Sequence, residues 1–79
     1  MRLDKYLKVS RVIKRRTVAN DACNAGRVTV NGKVAKASSD VKIGDIVEVR
    51  FGSNTTSFEI LSVKETVKKE DAGEMYRLL

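Results

Sequence analysis

The sequence contains no histidine, no proline, a single cysteine and only four aromatic residues among its 79. Each scarcity closes off a class of function. Without histidine, the commonest general acid–base group and metal ligand is missing. Cys23 alone can form neither an internal disulfide framework nor a zinc site, which points to a reducing cytoplasmic setting. On the apolar side of its helix it reads as a small core residue rather than a nucleophile. The aromatics Tyr6, Phe51, Phe58 and Tyr76 are too scattered for the stacking platform of a sheet-based single-strand binder. Acidic pairs such as Glu70-Asp71 lie in a polar segment with no metal-ligand cluster beside them, so no catalytic residue, metal or cofactor is expected. No apolar run approaches the ~18–20 residues of a membrane span, and no membrane partner is expected. Charges interrupt the stretch after Met1, so Arg2-Leu3-Asp4 is not expected to open a signal peptide.

What the chain has in plenty is positive charge, and its distribution matters more than its net value of +6. Residues 1–36 carry ten Lys and Arg against only Asp4 and Asp21, a net +8. Residues 37–79 carry six bases and eight acids, a net −2. A surface built only for solubility would mix the signs. This asymmetry points to an anionic partner meeting the N-terminal half.

A chain of this length makes one small domain, 1–79, with no room for a catalytic domain beside a binding domain. Leu3, Tyr6 and Leu7 recur at helical spacing and predict a short helix over LDKYLKVS, with Asp4 suited to its first turn. Val12 and Ile13 form a short apolar connector expected to be buried. A second helix is expected from about Arg15 to Ala25, with Val18, Ala19, Ala22 and Cys23 as its apolar stripe and Gly26 just past its end. RVTVNGKVA reads as strand, Asn-Gly turn, strand. A strict two-residue turn would pair Val30 with Lys33 and set Val34 on the face opposite Val28 and Val30, so the register stays open. IVEVRF and TSFEILSV read as further strands, and the final KKEDAGEMYRLL as a short helix carrying Met75, Leu78 and Leu79. The sum is an α+β fold.

The candidate site is the basic half. Lys14, Arg15 and Arg16 crowd the start of the second helix, whose free N–H groups already carry partial positive charge. Each cation there costs roughly 0.3–1 kcal/mol if exposed. An anion at that helix end would reverse the sign, since phosphate suits both the helix dipole and guanidinium forks. Arg2, Lys5, Lys8 and Arg11 recur every three residues beside the apolar face of the first helix. An ordinary polar helix side would show the same pattern; the cations of the second helix add weight to the binding reading. Lys33 and Lys36 flank the Asn-Gly turn and extend the candidate surface. Asp4 sits among these cations, able to orient Arg2 or Lys5 or to face a second phosphate-bearing partner.

Arg2-Leu3-Asp4 with Leu7, Arg16 with Ala19, Gly26 through Gly32, and Gly44-Asp45 follow one another in an ordered pattern. That pattern resembles the S-four family of RNA-binding domains over about the first fifty residues. The resemblance implies an alpha-L fold: two antiparallel N-terminal helices packed on a small, mostly antiparallel sheet, here with C-terminal strands and a short helix over about 51–79. It also implies RNA bound along the two helices and the adjoining hairpin. One departure stands out. The family usually places Ser or Thr before the helix-opening arginine as an N-cap, and this chain has Arg15. The cap must come from elsewhere, or RNA phosphate completes it.

The length, the VRFG stretch and the ending KKEDAGEMY look most similar to the small ribosome-quality-control members of Gram-positive bacteria. A fifteen-kilodalton heat-shock branch is also similar, but normally has a longer C-terminal extension. The quality-control likeness implies large-subunit rRNA and peptidyl-tRNA as partners. RqcH, the recruiter of alanyl-tRNA, would act alongside during C-terminal alanine tailing of stalled chains, and a monomer is expected. Two other classes compete: a binding module of another kind, either a general RNA chaperone or DNA binder without preference for ribosomes or a ribosome-assembly factor without a role in tailing, and an enzyme, since related domains are appended to pseudouridine synthases and tyrosyl-tRNA synthetases. Length argues against the enzyme.

Overall fold

Leu3, Tyr6 and Leu7 are fully buried, so the first helical stripe is a core face. In the computed structural model, which describes residues 1–79, they lie on α1 (Leu3–Val9). α2 (Arg16–Asn24) packs beside α1, and its Ala19, Ala22 and Cys23 are buried with it. At seven and nine residues neither helix would be stable alone, and apolar burial holds them.

Five strands make one sheet in the order β2-β1-β3-β4-β5, every neighbouring pair antiparallel. They are β1 (Val28–Val30), β2 (Lys33–Val34), β3 (Ile46–Phe51), β4 (Asn54–Ile60) and β5 (Tyr76–Leu78). The two-residue alternation puts Val28, Val47, Val49, Phe58 and Ile60 in the core, each at most 1% exposed. The Tyr6 ring of α1 stacks on Phe58 with centroids 6.3 Å apart, and Phe58 meets Tyr76 edge-on at 5.3 Å. Three of the four aromatics scattered in sequence thus gather against the core, while Phe51 stands apart, 39% exposed, so no paired platform for stacking bases forms. Tyr6 Oη also donates to the Met75 carbonyl at 2.7 Å, tying α1 to the C-terminal segment.

The hairpin register is the strict one. Val30 pairs with Lys33 across a two-residue turn, with Asn31 at φ 53° and Gly32 at φ 84°, the positive pair a type I′ turn requires. The consequence is that Val34 is 68% exposed. Asn31 has a second task. Its amide donates to Asp45 at 3.1 Å, and its side-chain oxygen accepts from the Ile46 N–H at 3.0 Å. The Asn-Gly and Gly-Asp motifs are therefore one clasp that fixes the hairpin against β3.

Three expectations need correction. Val18 is 42% exposed rather than part of the buried stripe, because the inward side of α2, which packs beside α1, is formed by Ala19, Ala22 and Cys23. Val12 is half-buried, whereas Ile13 is buried as expected. The C-terminal helix is a single 3-10 segment, Lys69–Glu74, and does not carry the leucines. Met75 is buried behind it, while Leu78 belongs to β5 and is exposed, as is the following Leu79. The pairing of β5 with Phe58, Glu59 and Ile60 of β4 decides that outcome, and no local pattern in YRLL announces it. No helix is long and apolar enough to cross a membrane.

Candidate nucleic-acid interface

The two helices begin differently. At α1 the protein closes its own helix end: the Leu3 and Asp4 N–H groups donate to the carbonyls of Ser39 (2.8 Å) and Ala37 (3.1 Å). At α2, Arg15 holds the N-cap position in extended conformation and offers no side-chain cap. The N–H groups of Arg16, Thr17 and Val18 have no acceptor within the protein. α2 thus opens with unfilled donors and partial positive charge next to Lys14, Arg15 and Arg16.

Asp4 organises the adjacent surface. It is 2% exposed, a rare state for a carboxylate without partners, and it has four. Arg2 donates from Nε and Nη2, each at 3.2 Å; Arg16 Nη2 lies at 3.5 Å, the Asn20 amide at 3.3 Å and the Lys5 N–H at 2.8 Å. Burial by itself would raise the Asp4 pKa. The Asn20 amide, the Lys5 N–H and the Arg16 guanidinium outweigh it and hold the carboxyl below the usual carboxylate range. Arg2 and Arg16 keep 52% and 47% of their side-chain surface exposed. One negative charge fixes two guanidinium groups from behind, and their remaining donors face outward with a net positive charge.

Around this pair the cations line adjoining recesses. Lys5, Lys8, Arg11, Lys14 and Arg16 border one of about 240 Å³, together with Glu65, Thr66 and Val67. Arg2 and Lys36 border another of about 490 Å³ with Asn20 and Asn24. A third recess, lined by Asp4, Arg16, Thr17, Asn20 and Asp21, joins the two, so the lining runs from Lys36 to Lys14 across a stretch that also carries two carboxylates. Seven of the nine candidate cations are brought together in this way. Arg15 and Lys33 are exposed but line none of the three.

Arg11 reaches the recess from an unusual backbone. Its φ is 62°, in the left-handed region that costs a side-chain-bearing residue roughly 1–2 kcal/mol. It follows α1 as Gly26 (φ 74°) follows α2, and its N–H donates to the Lys8 carbonyl at 3.1 Å. Where α2 ends on glycine without penalty, α1 ends on arginine.

Several features escaped the sequence reading. The Lys5 ammonium is not oriented by Asp4, which binds only the Lys5 backbone; it pairs with Glu65, sixty positions away. The hydrogen bond and charge of Lys5 hold the Glu65 carboxyl below its usual range. No local pattern could reveal that contact. Asn20 was legible in principle, being one helical turn from both Arg16 and Asn24, whose amide donates to it at 2.9 Å. Cys23 is 3% exposed, and burial, assisted by the Asp4 charge, pushes its thiol up to about 11. It is an inert core residue.

The fold and this face define a class: a small α+β domain with cation-lined recesses along two helices and the loop after the hairpin. Residues 1–47 match the S4 domain, and the chain belongs to that family. It is 54% identical to the RQC P-site tRNA stabilizing factor of Streptococcus pneumoniae over 79 residues, all of this chain and 90% of the relative. It is 58% identical to the protein of that same name from Halalkalibacterium halodurans, over 99% of this chain and 89% of the relative. Among solved structures, heat shock protein 15 of Vibrio cholerae superposes with a TM-score of 0.91 at 31% identity, covering all of this chain and 81% of that one.

Proposed function

We propose that this chain is a non-enzymatic, cytoplasmic factor of ribosome-associated quality control. It binds tRNA and ribosomal RNA on obstructed large subunits and supports C-terminal alanine tailing of stalled chains alongside RqcH. Family membership and the names of the relatives support RNA binding in quality control. The observation that carries the reading to particular residues is the Asp4-held pair, Arg2 and Arg16, set half-exposed beside the open start of α2. That arrangement suits phosphate: fork donors, a helix N-terminus and flanking cations each favour it. Lys8, Arg11, Lys14 and Lys36 extend the contact along the backbone of the RNA, which suits recognition by shape.

The test is Arg16→Ala. Its bond to Asp4 is long at 3.5 Å and half-exposed, so the melting temperature should fall by only a few degrees. Co-sedimentation with large ribosomal subunits should drop about tenfold or more, the scale of one charge-assisted phosphate contact. Loss of folding in parallel with loss of binding would make Arg16 structural. Displacement of the protein from ribosomes by duplex DNA as readily as by rRNA would leave only a general polyanion binder.

A further inference from the structure

Glu65 is the one carboxylate in the recess formed by Lys5, Lys8, Arg11, Lys14 and Arg16. It stands in the segment between β4 and the 3-10 turn and pairs with the Lys5 ammonium. The pair adds little to holding the fold. Glu65 is 67% exposed and Lys5 36%, and exposed ion pairs contribute little to stability. The segment is anchored independently: the Leu61 and Ser62 N–H groups both donate to the Met75 carbonyl, at 2.8 and 3.2 Å, and Tyr6 Oη donates to the same oxygen. A carboxylate that the fold does not need lies where a row of five cations would otherwise attract phosphate.

We infer that Glu65 is a built-in competitor of RNA phosphate: in the free protein its carboxylate occupies Lys5, and an RNA backbone entering the recess must displace it. The inference rests on the reading that this recess meets RNA. Its consequence is a protein that binds arbitrary RNA less tightly than its cations alone would dictate. Only a partner that fills the rest of the strip offsets the displacement of Glu65.

The probe is an unmodified tRNA transcript, with binding followed by fluorescence anisotropy over a series of potassium chloride concentrations. Glu65→Gln removes the charge and keeps the shape. It should tighten binding by about two- to fivefold at low salt, the worth of one exposed pair. It should also steepen the log–log salt dependence by about 0.7–0.9, one more phosphate neutralised. Glu70→Gln, an equal change in net charge within the 3-10 turn and outside the recess, should leave binding nearly unchanged. In a Lys5→Ala background the gain from Glu65→Gln should vanish. Glu65→Ser repeats the test with a smaller side chain, should Glu65→Gln fold poorly. Unchanged or weaker binding by Glu65→Gln, or an equal gain from Glu70→Gln, overturns the inference. Failure of the unaltered protein to bind the transcript at any salt would instead sink the RNA reading itself.

Discussion

Asp4 is the residue on which the site turns, and its role is electrostatic before it is anything else. A carboxylate at 2% exposure survives only because donors surround it, and two of those donors are the arginines that face outward. The sequence showed an acid among cations at a helix start, enough to name Arg2 as one candidate partner but not to choose among Arg2, Lys5 and a second RNA, nor to bring in Arg16. It did not show burial, since helix periodicity says nothing about how closely the 37–41 loop covers α1. The lowered pKa sets a sign. A carboxyl whose folded pKa lies below its ordinary value of 3.8 contributes stability that is fully present above that value. That contribution is lost as pH falls through the folded pKa. Asp4→Asn should therefore cost about 1–3 kcal/mol in urea unfolding at pH 7, the cost of weakening a buried, multiply bonded group. The gap between variant and parent should shrink below the ordinary carboxylate range, because the parent then loses the same charge. An equal gap at neutral and strongly acid pH would mean that the carboxylate's shape, not its charge, holds the arginines.

At the scale of elements, the contrast between the two helix starts carries the argument. α1 spends its first donors on the protein's own carbonyls at Ala37 and Ser39, and α2 leaves its own unfilled behind Arg15. That departure was legible because capping is a local matter: one position decides it, and Arg15 stands where Ser or Thr is usual. Elements fixed by distant partners were not legible in the same way. β5 exists through its pairing with β4, and Val18 is left outside because the inward side of α2 beside α1 is already formed by Ala19, Ala22 and Cys23. The hairpin fell between the two cases. Its turn was readable from Asn-Gly, but the strict register rests on the bonds of Asn31 to Asp45 and Ile46, fourteen and fifteen residues away. If α2 is left uncapped to receive phosphate, restoring a cap should separate stability from binding. Arg15→Ser should stabilise the protein by about 0.5–2 kcal/mol, the worth of an N-cap. The same change should weaken RNA binding, because a serine oxygen then competes for the open donors and one cation is gone. Gains in both properties would show that the open helix end has no part in recognition.

The whole molecule is small enough for its charge to act as a pattern. Its longest extent is 28 Å, only about three Debye lengths at ~0.1 M salt. The net −2 of residues 37–79 therefore weakens the field of the basic strip only in dilute salt; near physiological salt the local arrangement governs binding. That arrangement also corrects a simple count of cations. Seven line the strip, yet Arg2 and Arg16 share the charge of Asp4, and Lys5 is held by Glu65. Lys8, Arg11, Lys14 and Lys36 have no carboxylate partner and should each neutralise a phosphate in full. Together with the arginine pair this amounts to roughly four to six phosphates and a log–log salt slope of about −3 to −5. A slope near −1 would require the cations to act singly, as on an ordinary solvated surface. A slope of the larger size that collapses in Arg16→Ala by much more than one contact would instead show the strip working as a unit, with the Asp4-held arginines setting the register for the rest.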